Sequence, residues 1–454
     1  MMQRVFNRNV FKLGFMRNAR FLAVLLMSAG GWDAHAQEAR VVTVAKEPRQ
    51  QMAYGMDFER LWSWKGLKAK SRLAEVAVRD CKVDYVRVAV NGGAELKEGT
   101  FDASAYDDIL EVMTLCKAAR PDIKFFGSPR PINEAIKGAP WNCYPPWISG
   151  DNSYVNSKGQ TKWKKGLLNG EKAGDYMVRY VRFMKSKGFV ISYLDLKNEC
   201  KQIRPEMLAV TAQRIREQLG DEAPKLLAPS SFDYMEGAEW IKEALAGPGT
   251  NFFDILSTHN TRGDKSGPLD AFTALGTQLA KPVWNTELHG WRGNDTAAVS
   301  NTVVLFDQIR TGVGALNDWL SLGNEKKDYK MFRTMNDGSL EVMRIYYIYK
   351  QLVNSSGGGR YIPTTIPTGL TSSTAFLRGD LMTVWLLNGT DSPAPGVTVD
   401  LGTRTILSDT VKTVRWDTGN GREGSVGEMK PTAANTLVSD VGAQTLVCFE
   451  FKVK

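Results

Sequence analysis

Two apolar runs in this chain end abruptly in acidic side chains. Ile191-Ser-Tyr-Leu-Asp-Leu-Lys-Asn-Glu-Cys200 closes on an amide, a carboxylate and a thiol, and Pro282-Val-Trp-Asn-Thr-Glu-Leu-His289 delivers Glu287 in the same way. Each reads as a buried strand that presents its last side chains to a cleft. Two carboxylates facing one cleft can divide the work of acid and nucleophile, because one can hold the proton that the other has lost. The dipeptide Asn-Glu does not by itself select the site, since it recurs at Asn133-Glu134 and Asn324-Glu325; only Asn198-Glu199 ends a strand-like run.

The elements that must position these groups alternate. Apolar runs at Ala53 to Phe58, Asp84 to Val90, Ile123 to Gly127, Ile191 to Leu196, Lys225 to Ala228, Phe253 to Thr258, Pro282 to Thr286 and Val313 to Trp319 read as strands. Amphipathic segments lie between and after them, among them Asp102 to Ala119 and Pro205 to Leu219. Strand-helix alternation calls for parallel strands with crossover helices, and eight of them predict a closed (β/α)8 TIM barrel over residues 51–355. After Ser355-Ser-Gly-Gly-Gly359 the helical pattern stops, and β-branched runs between Gly, Pro, Asn and Asp turns predict an antiparallel β-sandwich side domain over residues 361–454. Residues 37–50 contain the strand-like Val41-Val-Thr-Val44 with no helix after it, so this segment is expected to pair with the sandwich.

Composition excludes several classes. With 454 residues, 43% hydrophobic and 24% charged, the chain suits a large globule. Its start departs from that globule: five basic residues precede Phe21-Leu-Ala-Val-Leu-Leu-Met27, and Ala34-His-Ala36 supplies small residues for cleavage. Met1 to Ala36 reads as a secretory signal peptide, which implies a secreted or periplasmic protein with no membrane span in its mature form. Removing it takes away five basic residues and one acidic, so the formal charge falls from +9 to +5. No Lys/Arg block with interleaved aromatics suggests nucleic acid, and the mature chain is expected to be a monomer. Five cysteines show no C-x-x-C pair and only His259 and His289 survive processing, so no metal or other cofactor is expected. The odd cysteine count gives no disulfide framework; among the pairs open to it, Cys143 with Cys200 would tie two loops at one rim.

In a (β/α)8 barrel the active site lies at the C-terminal ends of the strands. Those ends read Asp57, Phe58 and Glu59; Arg87 and Asn91; Ser128 and Arg130; Asn198 and Glu199; Ser230 and Ser231; His259 and Asn260; Glu287; Asn317, Asp318 and Trp319. Such a polar ring suits glycoside cleavage, in which one carboxyl protonates the leaving oxygen and another attacks the anomeric carbon. Asp195 and Lys197, charged inside the fourth strand, are costly unless paired and are expected to be internal contacts rather than catalysts.

Leu196-Lys-Asn-Glu199, Val283-Trp-Asn-Thr-Glu287, Ser257-Thr-His259, Tyr85-Val-Arg-Val88, Asn317-Asp-Trp319 and the passage from Tyr346-Tyr-Ile-Tyr-Lys350 to Arg360-Tyr-Ile362 resemble the corresponding motifs of clan A retaining glycoside hydrolases, most of all glycoside hydrolase family 30. The resemblance runs over essentially the whole mature chain. It implies that Glu199 is the general acid/base and Glu287 the nucleophile. By the same resemblance Asn198 would bond the sugar 2-hydroxyl, Arg87 and His259 would hold Glu287 ionised and oriented, and Trp319 would form a floor under the sugar ring. Where that family usually has Pro after Asn-Glu, this chain has Cys200, so the following loop can take another path.

Long insertions follow the third and eighth strands, and loops of that length in a compact domain are usually functional. Trp141, Trp147, Trp291 and Arg130 are therefore further candidates for substrate contact. Lysine and arginine outnumber acidic residues on these loops, which would attract a sulfated or uronate-bearing chain. The expected function is an exported, endo-acting, retaining β-glycoside hydrolase on an oligo- or polysaccharide. Alternatives are a xylanase or glucanase on a neutral β-glycan and a non-catalytic carbohydrate-binding barrel. A further reading gives carbohydrate binding to the sandwich, to which its few aromatics, Phe376, Trp385 and Trp416, lend little support.

Overall fold

The computed structural model describes residues 39–454 apart from 62, 131–142, 150–152, 160, 164–167 and 201–202. The expected leader, Met1 to Ala36, lies outside the described residues, as does Trp141. Among the described residues no helix is long and apolar enough to cross a membrane.

Eight parallel strands close into a barrel in simple sequential order. They are Ala53–Asp57, Tyr85–Asn91, Lys124–Arg130, Ile191–Asp195, Lys225–Ser231, Ile255–His259, Val283–Leu288 and Ala315–Asp318, referred to below as the first to the eighth. A helix follows each, and the longest, Gly170–Ser186 and Pro205–Leu219, pack against each other on the outer face. Pro205 opens the second of these, where its missing N–H costs nothing, and Gly220 ends it at a φ of 53°. The segment expected to be helical from Asp102 begins as a 3-10 turn at Ala103 and becomes α-helical at Asp107, because the Asp102 side chain caps the turn by accepting from Ser104 N.

Period-two alternation along the strands divides the barrel interior into layers. Towards the N-terminal end, Ala53, Tyr85, Phe126, Tyr193, Leu227, Ile255, Trp284 and Ala315 form an apolar plug, in which Trp284 stacks on Tyr85 at 5.2 Å and meets Tyr193 edge-on at 4.8 Å. Two residues further along, the same strands turn in Gly55, Arg87, Ser128, Asp195, Ser257 and Asn317, all buried. The plug sets the depth of the polar layer above it.

The sandwich consists of two sheets. Six strands run in the order Arg360–Ile362, Ser372–Arg378, Leu381–Asn388, Thr445–Lys452, Val411–Trp416 and Ser425–Met429, all antiparallel. Val41–Thr43, Ala394–Asp400 and Thr436–Val441 form the second sheet. The strand before the barrel therefore does join the sandwich, but it pairs parallel to Ala394–Asp400, so the domain is not antiparallel throughout. Ser425–Met429 has no sequence signature because it is an exposed edge strand with little apolar content. Phe376, Trp385 and Trp416 are buried in the cluster that joins the six-stranded sheet to the barrel, with Phe306 of the barrel packed on Trp385. Buried there, these rings offer no carbohydrate platform.

Gly55 shows how tightly the barrel is filled. A Cβ there would lie 2.2 Å from Tyr85 Cε2 and 2.4 Å from Asn317 Oδ1, and neither neighbour has room to retreat. Gly55→Ala is expected to cost at least about 1–3 kcal/mol by overpacking. A urea midpoint equal to that of the parent would show that the interior is looser than these contacts imply.

Candidate functional site

The polar layer is organised by Arg87, which is fully buried at the middle of the second strand. Its Nη1 lies 2.6 Å from Glu287 Oε1, 2.8 Å from Asp57 Oδ2 and 3.1 Å from Glu59 Oε2. Its Nη2 donates to Ser128 Oγ at 2.7 Å and to Asn198 Oδ1 at 2.8 Å. The two hydrogens of Nη1 serve Glu287 and Asp57, so Glu59, with neither oxygen in a hydrogen bond, holds only the charge.

Glu199 approaches from the fourth strand. Its Oε1 lies 2.8 Å from His259 Nδ1 and accepts from Thr261 Oγ1 at 3.1 Å. His259 Nδ1 is also 3.6 Å from Glu287 Oε2, and Glu287 and His259 are register partners on adjacent strands. Carboxylate oxygens of Glu199 and Glu287 come within 4.8 Å of each other, with His259 between them. His289 adds its Nε2 at 3.6 Å from Glu287 Oε2.

These distances set the charge states. Burial pushes the Glu287 carboxyl up, but the charges of His259 and Arg87, with His289 beside them, outweigh burial and hold it well below the usual range. Burial alone would keep His259 neutral; the negative charge of Glu287 and the contact with Glu199 reverse this and raise it above the ordinary imidazole value. Asp57 is raised by burial despite Arg87, and Glu59 is pushed up to about 8, again by burial. Asp57, Glu59 and Glu287 converge as metal ligands would, yet Arg87 Nη1 already lies among them and supplies the cation.

The end of the fourth strand is unusual. Asn198 and Glu199 both adopt positive φ, 40° and 65°, in the left-handed region that costs a non-glycine residue about 1–3 kcal/mol. Asp195 Oδ1 accepts from Lys197 N and Asn198 N, Asn198 Nδ2 donates to Pro129 O, and Glu199 N donates to Ser230 O. Asp195 Oδ2 also accepts from Ser128 Oγ at 3.0 Å, and buried Lys197 reaches Ser231 Oγ at 3.4 Å. Cys200 is joined to Cys143 by a disulfide that closes a separation of 57 residues.

Arg87, Asn198, Glu199, His259 and Glu287 thus share one cluster, while the remaining candidates divide. Trp319 stands half-buried just past the eighth strand, its ring 4.5 Å from that of His289 and surrounded by Lys330, Arg292 and Arg60 at 4.8, 5.4 and 5.6 Å. Arg130 is half-exposed at the end of the third strand, in register with Asn91. Trp291 is not a substrate platform: it is fully buried, donates Nε1 to Asp318 Oδ1 and packs on Tyr349. Trp147 packs against Tyr176 on the helix after the third strand and donates to Glu95 O, an arrangement that secures the loop rather than lining the carboxylate pair. Thr261 and His289 received no role from the sequence, and Lys330 counted only among the basic residues of the rim. His289 follows Glu287 by two residues, and strand alternation was the available signal for it.

A chain with an eight-stranded sequential barrel, a sandwich built partly from the residues before the barrel, and a glutamate pair on the fourth and seventh strands has the architecture of clan A glycoside hydrolases. The fold is matched by a family 30 endoxylanase from Clostridium papyrosolvens C71, with a TM-score of 0.68 at 15% identity over 91% of this chain and 99% of that one. It is matched likewise by a family 30 subfamily 8 xylanase from Clostridium acetobutylicum, with a TM-score of 0.69 at 15% identity over 91% of this chain and 100% of that one. A family 51 arabinofuranosidase from Xanthomonas axonopodis pv. citri shares the fold at a TM-score of 0.62 and 11% identity, covering 91% of this chain and 99% of that chain. By sequence, no family model and no curated protein matches the chain.

Glu59 gives the cluster a pH signature. Unfolded, it loses its proton near the ordinary glutamate value; folded, it keeps the proton up to about 8. The folded chain binds the extra proton in that window, so stability falls as pH rises through it. His259, raised above its usual value, contributes stability below the unfolded imidazole pKa that is lost as pH climbs through the folded one, in the same direction. Relative to Glu59→Gln, the urea midpoint of the parent is expected to fall between about pH 5 and pH 8.5, a comparison in which the opposite pull of the lowered His289 and Lys330 cancels. An unchanged slope in the variant would mean that Glu59 is ionised in the folded protein.

Proposed function

We propose that this protein is a retaining β-glycoside hydrolase that cuts a polysaccharide internally by double displacement. The observation that carries the reading is that one oxygen of each carboxylate lies no more than 4.8 Å from the other, which leaves no space for a water-bearing inverting arrangement, with Glu287 held ionised. Retaining enzymes set their carboxyl groups about 5–5.5 Å apart, whereas inverting ones leave about 6.5–9.5 Å for a water molecule. Glu287 attacks the anomeric carbon while Glu199 gives its proton to the departing oxygen, which leaves a glycosyl ester on Glu287. Glu199, now ionised, takes a proton from water; the hydroxide oxygen attacks the same carbon, and Glu287 leaves as carboxylate. Arg87 and His259 oppose the charge of Glu287 in the free enzyme, and Thr261 orients Glu199. Asn198 Nδ2 has one hydrogen left after Pro129 O and can offer it to the sugar 2-hydroxyl.

Within this class the substrate reading is an anionic chain, sulfated or uronate-bearing. Arg60, Arg292 and Lys330 gather around Trp319, one ring away from His289 and Glu287. Burial, and then Arg292, lower Lys330 to about 7, so an arriving anion would draw a proton onto it. Asp318, 3.6 Å from Arg292 Nε, offsets part of this charge. A neutral xylan is the second reading, supported by the xylanases among the structural neighbours.

Release of reducing ends from neutral, uronate-bearing and sulfated β-glycans tests the proposal, with the anomeric configuration of the first product read by NMR. Glu287→Gln is expected to lose on the order of a thousandfold or more in kcat while staying folded. A folded parent that binds a glycan and cuts none would favour the non-catalytic barrel. Export is proposed from the leader at Met1 to Ala36 and fits a disulfide, which persists in oxidising compartments. Mass spectrometry of the exported chain should then find Gln37 at the N-terminus.

A further inference from the structure

The mechanism above leaves the covalent link beside Glu199 without a role. Cys200 directly follows Glu199; among the described residues, Cys200 N reaches Lys197 O at 3.3 Å, and Ile203 N reaches Cys200 O at 3.2 Å. The other half of the disulfide, Cys143, lies in the insertion after the third strand and is buried. Its sulfur sits 2.9 Å from Lys197 O and 3.2 Å from Asn198 O; a bonded sulfur has no proton to give, so these are packing contacts. Tyr144, next in the chain, donates its hydroxyl to Leu196 O at 2.9 Å and packs on Tyr176. Residues 143–144 are therefore fastened along residues 196–200.

This fastening falls where the backbone is least at ease. Asn198 and Glu199 are both in the left-handed region, and neither is glycine. Such a pair persists only where its surroundings over-determine it. On the near side the constraint is polar, through Asp195, Pro129 and Ser230. On the far side it is the bond to Cys143.

We infer that the Cys143–Cys200 disulfide is a positioning device for the acid/base Glu199, and that reducing it lowers proton donation to the leaving group while leaving the nucleophile intact. The inference rests on the hydrolase reading given above. Glu287 is held by Arg87, His259 and His289; Arg87 and His259 also meet the side chains of Asn198 and Glu199, but their hold on Glu287 does not run through the disulfide. A displaced acid costs rate steeply, since general acid catalysis contributes about 10²–10⁴-fold and depends on hydrogen-bond reach to the proton's destination.

Leaving-group chemistry separates positioning from mere loss of structure. A 2,4-dinitrophenolate departs without protonation, whereas a phenolate needs the acid. The 2,4-dinitrophenyl and phenyl β-glycosides of xylobiose, cellobiose and galactobiose would be assayed with the parent, with Cys143→Ala/Cys200→Ala, and with parent protein reduced by a phosphine. Pre-steady-state release of phenol reports the first step alone. The expected result is a first-step loss of about tenfold or more on the phenyl glycoside and less than about threefold on the dinitrophenyl one, with the substrate Kd of the first step little changed. Equal losses on both, or no loss on either, overturn the inference, as does unfolding in both the variant and the reduced parent. A parent inactive on every glycoside and on the polysaccharide panel would instead overturn the hydrolase reading, and this inference with it.

Discussion

A single guanidinium holds the centre of this molecule together. Arg87 is removed from water and set against Asp57, Glu59 and Glu287, so one positive charge answers three carboxyl groups. A buried ion needs partners for its hydrogens, and here Nη1 and Nη2 bind groups from the first, third, fourth and seventh strands, while Nε has no hydrogen-bond partner among the described residues. Those strands are far apart in sequence; barrel closure brings their C-terminal ends together, and this side chain ties them to one another. The surplus of negative charge has a consequence: Glu59, which receives no hydrogen from Arg87, is the member that burial pushes to about 8.

The two glutamates are positioned by different physical means. Glu287 is held by charge, with Arg87, His259 and His289 around its oxygens. Glu199 is held by backbone, in a left-handed turn tied down by Asp195, Ser230 and the link to Cys143. That division suits the proposed chemistry, in which the nucleophile must stay ionised whereas the acid must gain and lose a proton without leaving its place. His259 lies between the two and senses both.

The sandwich completes the barrel rather than extending its reach towards substrate. One face of its six-stranded sheet, with Trp385 and Trp416 stacked at 6.2 Å, packs on barrel helices; the other closes over the three-stranded sheet to which Val41–Thr43 belongs. The described residues therefore begin in the sandwich, build the barrel and return to the sandwich. The plug of Tyr85, Tyr193 and Trp284 closes the barrel interior beneath the polar layer, leaving the ring of strand ends as the place where polar groups converge.

Much of this was legible in the sequence, and the reason is periodicity. Eight apolar runs alternating with helical segments specify parallel strands and crossovers, and the end of each run names the residues of the rim, so Arg87, Asn198, Glu199, His259 and Glu287 could be nominated without coordinates. Composition also separated the sandwich from the barrel, though not its edge strand Ser425–Met429, whose exposed residues carry no apolar alternation. What only the tertiary structure decided were pairings between distant residues. Local pattern shows that an aromatic or a cysteine is present, not what lies opposite it. Trp291 and Trp147 thus proved to be packing groups, the three sandwich aromatics turned towards the barrel, and Asp57 and Glu59 became partners of Arg87. Cys143 and Cys200 could be named as one pair among several; their meeting beside Glu199 depends on the path of a long loop across the rim, which no local pattern encodes.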